Sequence, residues 1–137
     1  MSFPVQVDNH RVTMNTKPAL GADTALSHKI VIGIGTRDCT KMNVVAFSKK
    51  YKEPLKSLQL EAEATLSAKV YPEILKKDRL YAQLQGLLES EKEMKGVTLS
   101  QANYCNVSAM ISKSVPIFYT AEFNVKSIGS GRADFKS

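Results

Sequence analysis

The chain has 137 residues, a formal net charge of +6, 43% hydrophobic residues and 23% charged residues. This size fits one domain with a substantial core, and no apolar run reaches the roughly 18 residues that a membrane-spanning helix requires. Proline and early charges occupy the N-terminal positions where a signal peptide would have its apolar segment. We therefore expect a cytoplasmic protein with no membrane anchor.

The first half of the chain predicts mainly short strands. Alternating valines on either side of the turn Asp8-Asn9-His10 predict a hairpin over residues 3–16, and a loop rich in Pro, Gly and Ala follows it. β-branched residues in "HKIVIGIGT" (28–36) and "MNVVAF" (42–47) predict two strands that pair antiparallel. Pro54 suits the first turn of a short helix. Residues 61–71 alternate with a period of two, which favours a strand, although their Glu and Ala would also suit a helix.

The second half predicts one long helix and further strands. Residues 96–112 predict a strand followed by irregular structure, residues 115–128 alternate as a strand, and residues 129–137 predict a flexible tail. Gly96 suits the end of a helix over 72–95. Four leucines give that segment the spacing of an amphipathic helix: Leu80, Leu84, Leu87 and Leu88.

The predicted fold is therefore mostly β in the α+β class. It comprises a small barrel of five or six strands, of the OB type, with one long inserted amphipathic helix. Residues 1–128 are expected to form a single globular domain ahead of the flexible tail.

The cysteines, Cys39 and Cys105, stand 66 positions apart and form no paired motif. In a reducing compartment the default is two free, partly buried thiols, so we expect no disulfide. No CxxC and no close Cys/His cluster is present, which argues against a zinc site. We predict no bound metal and no cofactor.

Other motifs of catalysis are weak. "GIGTRD" (33–38) has an Asp where a dinucleotide fingerprint needs its third Gly or Ala, and a predicted strand follows instead of a helix. The only imidazoles, His10 and His28, have no partner that the sequence identifies. No P-loop, nucleophile elbow or zincin motif occurs. We therefore expect a protein that is not an enzyme.

Positive charge and aromatic residues concentrate early in the chain. Residues 1–57 hold nine Lys and Arg against four Asp and Glu. Cations that follow phosphates, with rings on which bases stack, are what single-stranded nucleic acid requires. The alternative, that the rings are core and the lysines a solvated surface, stays open. The candidate residues are Lys29, Arg37, Lys41, Phe47, Lys49, Lys50, Tyr51, Lys52, Lys69 and Tyr71.

The order of these segments resembles the OB-fold single-stranded DNA-binding proteins. "MNVVAFSKKYKEPLKSL" followed by "EAEATLSAKVYPE" is similar to the middle of that family, and "KGVTLSQANYCNV" (95–107) to its last barrel strand. The resemblance implies Phe47 near the barrel, with Lys49, Lys50 and Tyr51 on the binding side. The chain departs from the family in having no tryptophan, no acidic C-terminal tip and a predicted helix in place of a hairpin.

The leading hypothesis is a non-enzymatic protein that binds single-stranded nucleic acid, DNA in particular, and forms a homo-oligomer through its helix or last strand. The alternative is a self-assembling structural or adaptor subunit of a phage or virus particle, because the terminal strand suits exchange between copies. A third hypothesis is a small regulator that docks on another protein through the helix at 72–95.

Overall fold

The computed structural model describes residues 2–15, 28–51, 55–67, 74–87 and 89–136. Contacts divide the chain into two compact units, Met1–Ile34 and Gly35–Ser137, and the helix α1 (His28–Lys50) runs from one into the other. No helix within the described ranges is long and apolar enough to cross a membrane.

The first unit contains a two-stranded antiparallel hairpin of β1 (Ser2–Val7) and β2 (His10–Asn15). Val7 pairs with His10, so Asp8 and Asn9 form a two-residue connection. Asp8 has a φ of 52°, a left-handed conformation that aspartate tolerates better than most residues do. The predicted hairpin is confirmed, since its turn chemistry is local.

The second unit is built on a four-stranded sheet in the order β3-β4-β5-β6. Pairing is antiparallel between β3 and β4, parallel between β4 and β5, and antiparallel between β5 and β6. A parallel pair requires a crossover connection, and here it contains α2 (Ser90–Leu99), a π-helical segment (Ser100–Tyr104) and α3 (Asn106–Ile111). The strands are β3 (Ser57–Leu66), β4 (Leu75–Gln85), β5 (Ile117–Phe123) and β6 (Lys126–Arg132).

The core of this unit lies on one face of the sheet. Every second residue of the two central strands is buried, and Val44 of α1 and Val97 of α2 pack into the same cluster. The helices therefore cover the face that the alternation of apolar residues creates. The strand residues in this cluster include Leu80, Ala82, Leu84, Ile117, Tyr119, Ala121 and Phe123.

The strands predicted at 28–36 and 42–47 are wrong, because both segments lie within α1. The face that α1 buries in the second unit has a buried residue at every fourth position, and all but Val44 are polar: Thr36, Thr40, Val44 and Ser48. Two of their hydroxyls donate to carbonyls one turn back, Thr40 Oγ1 to Thr36 at 2.7 Å and Ser48 Oγ to Val44 at 3.1 Å. The β-branched residues at 30–32 are exposed instead, so hydrophobic periodicity indicated the wrong element.

The helix predicted over 72–95 is also wrong, since β4 occupies 75–85 and α2 begins only at Ser90. Leu80 and Leu84 are four apart, a spacing that puts them on one face of a strand as well as of a helix. Leu87, the third member of the predicted stripe, is 77% exposed. Pro72 and Leu88 lie outside the described residues.

The predicted barrel is wrong: the described strands form two open sheets, and the α+β class is the part that holds. The strand predicted within 96–112 is wrong as well, because α2, the π-helical segment and α3 occupy that range. The strand predicted over 61–71 overlaps β3, with residues 68–71 outside the described part of the chain. The single strand predicted over 115–128 is correct for β5 but wrong beyond Phe123, because the chain turns there and residues 126–128 belong to β6. The division into a domain over 1–128 and a flexible tail over 129–137 stays a prediction, although residues 129–132 belong to β6.

Candidate functional site

The fold brings the two cysteines together. Cys39 lies in the middle of α1 and is half-buried, whereas Cys105 separates the π-helical segment from α3 and has 0% of its surface exposed. The two thiols are near neighbours: Thr40, the residue after Cys39, places its Oγ1 3.7 Å from the Cys105 sulfur, and Cys105 is among the groups that raise the pKa of Cys39. Two residues that are 66 positions apart in the sequence therefore form one dithiol site.

Backbone geometry around the crossover holds Cys105 in place. Its N–H donates to the carbonyl of Ser100 at 2.9 Å, which closes the π-helical segment. Its sulfur accepts the N–H of Ser108 at 3.4 Å, so Cys105 caps the N-terminus of α3. Short π-helical segments are often found at functional sites, and this one sets the position at which the buried thiol meets α1.

The Cys39 thiol has its pKa raised above the ordinary value. The largest cause is burial, which disfavours the thiolate, and the hydrogen bond and charge of Cys105 act in the same direction. The backbone N–H groups of Asn106 and Val107 oppose these effects. Asn43, one turn further along α1, places its Nδ2 at 3.9 Å from the Cys39 sulfur. The thiol form therefore predominates at neutral pH.

A buried polar network adjoins the dithiol. Gln101 donates from Nε2 to Thr40 Oγ1 at 2.8 Å, and Thr40 Oγ1 lies 3.7 Å from the Cys105 sulfur. One turn earlier, Thr36 Oγ1 donates to Asp78 Oδ2 at 2.8 Å. Burial raises the pKa of Asp78, with the bonds from Thr36 and the Arg79 N–H acting against it. These hydrogen bonds hold in place the part of α1 that carries Cys39.

A cavity of about 330 Å³ opens beside this site between the second half of α1, α2 and the π-helical segment. We call it the aromatic cavity, because three of its lining residues are aromatic. The Phe47 and Tyr51 rings meet edge to face, with their centroids 5.2 Å apart. The residues that characterise it are Asn43, Phe47, Lys50, Tyr51, Lys95 and Tyr104.

Of the ten predicted basic-aromatic residues, three line the aromatic cavity, three lie elsewhere and four have side chains outside the described part of the chain. Arg37 pairs with its neighbour Asp38 at 2.9 Å, while Lys41 and Lys49 are exposed on α1 and do not line the aromatic cavity. Lys29 lies near the start of α1, but its side chain is outside the described part of the chain. Outside it altogether are Lys52, Lys69 and Tyr71. The cavity does bring together Phe47, Lys50 and Tyr51.

Sequence reasoning missed the pairing of the cysteines. Local motif rules look for thiols a few residues apart, and these two meet only because the crossover between β4 and β5 returns the chain to α1. The available signal was weak: the chain has two cysteines, and one of them is followed by "NVS", which begins α3.

Comparison with family models gives no match, and comparison with curated proteins gives none either. Solved structures do match. An OsmC-like protein from Mycoplasma pneumoniae superposes with a TM-score of 0.78 at 10% identity, over 89% of this chain and 88% of that one. A hypothetical protein from Aquifex aeolicus gives 0.72 at 18% identity, over 90% and 89% of the two chains. An organic hydroperoxide resistance protein from Elizabethkingia anophelis gives 0.71 at 12% identity, over 90% and 94%.

At these identities the likeness establishes the fold, which is that of the OsmC-like proteins. The predicted membership of the OB-fold single-stranded DNA-binding proteins is therefore wrong. The same neighbours contradict both the nucleic-acid-binding hypothesis and the phage or virus subunit hypothesis. The expectation of a non-enzymatic protein stays a prediction, although the neighbour from Elizabethkingia anophelis and another from Legionella pneumophila are described as organic hydroperoxide resistance proteins. The prediction of a homo-oligomer stays a prediction.

Proposed function

We propose that this protein is a thiol-dependent reductase of organic hydroperoxides. The observation that carries the proposal is the proximity of the Cys39 and Cys105 thiols, which the contact of Thr40 with the Cys105 sulfur and the influence of Cys105 on the pKa of Cys39 both indicate. It occurs on a fold shared with organic hydroperoxide resistance proteins, one of which is also described as a predicted redox protein and regulator of sulfide bond formation. A pair of adjacent thiols supplies the two electrons that reduction of one O–O bond consumes.

Exposure assigns the roles of the two cysteines. A peroxide entering from solvent reaches the half-buried Cys39, whereas Cys105 is fully enclosed. Cys39 is therefore the attacking residue, and the enclosed Cys105 is the resolving residue. This order matches the usual arrangement of redox-active cysteines, in which the accessible thiol is placed next to a resolving one.

The reaction balances in three steps. The Cys39 thiolate attacks the outer oxygen of ROOH, the O–O bond breaks, and the alcohol leaves with a proton while Cys39 becomes a sulfenic acid. The Cys105 thiol then attacks the Cys39 sulfur, forming a disulfide and releasing water. An external dithiol returns two electrons and two protons by thiol–disulfide exchange. Because Cys105 is enclosed, the exchange begins at the Cys39 sulfur.

The raised pKa of Cys39 predicts how the first step depends on pH. The thiolate is the nucleophile, so a thiol that is mostly protonated at neutral pH reacts faster as the pH rises. The backbone N–H groups of Asn106 and Val107 lower the pKa of Cys39 and so favour its anionic form. They supply the local stabilisation that the attacking thiolate receives.

The test is consumption of cumene hydroperoxide by the reduced protein, followed by intact-mass analysis. We expect the unmodified protein to consume one equivalent and to end as a disulfide. Cys105→Ser should consume one equivalent but stop at a sulfenic acid that dimedone traps, and Cys39→Ser should consume none by this route.

The chain also holds five methionines, whose oxidation would consume peroxide. The double variant Cys39→Ser/Cys105→Ser measures that background. Peroxide consumption by the unmodified protein no faster than by the double variant would remove the proposal. Equal activity of Cys39→Ser and the unmodified protein would remove the assignment of roles.

A further inference from the structure

The dithiol chemistry described above does not use the aromatic cavity. Its volume of about 330 Å³ lies near the lower end of the range for sites that hold small molecules, roughly 300–1,000 Å³. Phe47 contributes a ring from α1, Tyr51 from the turn directly after it, and Tyr104 from the π-helical segment. Three aromatic rings in one lining suit a flat apolar ligand.

The cavity is also cationic. Lys50 and Lys95 line it, and neither ammonium group pairs with a carboxylate within the described part of the chain. Lys92 does not line the cavity, but its Nζ lies 5.5 Å from the centroid of the Tyr51 ring and 3.9 Å from a carboxylate oxygen of Glu89. None of the described lining residues is Asp or Glu. An anion that enters the cavity therefore meets the ammonium groups of Lys50 and Lys95.

The shape of the cavity depends on glycine at position 96. A Cβ atom at Gly96 of α2 would lie only 2.8 Å from Phe47 Cδ1, closer than carbon atoms approach without a shift. Glycine at this position lets α2 pack directly on the Phe47 ring. The ring is thereby kept on the wall of the cavity instead of being pushed into it.

We propose that the aromatic cavity is a binding site for a small aromatic carboxylate. The flat body lies among Phe47, Tyr51 and Tyr104, and the carboxylate accepts hydrogen bonds from Lys50 and Lys95. Asn43 lines the cavity and also contacts the Cys39 sulfur, so the bound ligand lies within one side chain of the dithiol. The site goes beyond the proposed reductase activity and does not depend on it.

Calorimetric titration with naphthalene-2-carboxylate tests the proposal, with naphthalene-2-carboxamide as the neutral analogue. The reduced full-length protein should bind the carboxylate at least about tenfold more tightly than the amide, since a hydrogen bond to a charged group contributes about one such factor. Lys50→Gln and Lys95→Gln should each weaken binding of the carboxylate by about tenfold.

Lys49→Gln is the matched control, because Lys49 is exposed on the same helix but does not line the cavity. It should change the dissociation constant by less than about twofold, as expected for a distant, screened charge. Equal binding of carboxylate and amide would overturn the proposal, as would equal losses for Lys49→Gln and Lys50→Gln. Absence of binding to the folded protein would do the same.

Two further variants separate binding from folding and from redox chemistry. Tyr104 is 61% exposed, so Tyr104→Leu removes a ring at little risk to the fold and should weaken binding about threefold to tenfold. The variant Cys39→Ser/Cys105→Ser should bind the carboxylate like the unmodified protein. Binding in this variant together with no peroxide consumption by the unmodified protein would leave the site intact and remove only the proposed reductase activity. Peroxide consumption by the unmodified protein, together with no binding of the carboxylate, would rule out only the proposed binding site.

Discussion

Replacing Val125 by glycine should stabilise the protein. Asn124 and Val125 connect β5 to β6 as a two-residue turn, because Phe123 pairs with Lys126. Their φ angles are 48° and 68°, which is the pattern of a type I′ turn with both central residues in the left-handed region. Asparagine tolerates this conformation, but a β-branched residue is strained in it. Glycine is the residue that this turn favours at its second position.

The magnitude follows from two opposing effects. A residue with a Cβ atom in the left-handed conformation costs about 1–2 kcal/mol, and glycine removes that cost. Glycine also gains about 0.4–1 kcal/mol of conformational freedom in the unfolded chain, which lowers the benefit. Val125 is 85% exposed, so almost no buried contact is lost. The net expected increase in the free energy of unfolding is about 0.5–1 kcal/mol.

Urea unfolding followed by far-ultraviolet circular dichroism measures this change, since the chain has no tryptophan for fluorescence. The midpoint should rise for Val125→Gly with an unchanged slope. Val125→Ala is the control, because it removes both γ-methyl groups but retains the Cβ atom that causes the strain. If alanine stabilised as much as glycine, or if glycine lowered the midpoint, the assignment of strain to the backbone would be incorrect.

Three further outcomes are expected. Cys105→Ala removes a hydrogen bond and a charge that raise the pKa of Cys39, so iodoacetamide should alkylate Cys39 faster at neutral pH than in the unmodified protein; an equal or slower rate would contradict this. Because the folded pKa of Asp78 is raised, the folded state binds its proton more tightly and stability falls as pH increases from about 4 to that pKa. Asp78→Asn should therefore reduce the change of the urea midpoint with pH over this interval. Leu84→Ala should cost about 2–5 kcal/mol, whereas Leu87→Ala, at an exposed position, should cost less than about 0.5 kcal/mol in the same assay.

The sequence predicted the aromatic cavity less completely than it predicted the strands. Phe47, Lys50 and Tyr51 were predicted to share a surface, and they do line one cavity. The ligand predicted for them came from a resemblance that the neighbouring structures contradict. Composition identifies which side chains are cationic or aromatic, but not how many of them a cavity brings within reach of one ligand. Here Tyr104 and Lys95 come from the crossover and α2, far along the chain from the other three.

By itself the sequence determined the elements whose signal is local. The turn at Asp8-Asn9 and the alternation of residues 117–123 each depend on neighbours within a few positions, and both are found in the structure. Tertiary structure alone decided that residues 28–50 form a helix, because its buried face is polar and satisfies its hydroxyl groups through hydrogen bonds such as Thr36 to Asp78. It also decided that Cys39 meets Cys105, since that contact is made by the crossover that a parallel strand pair requires.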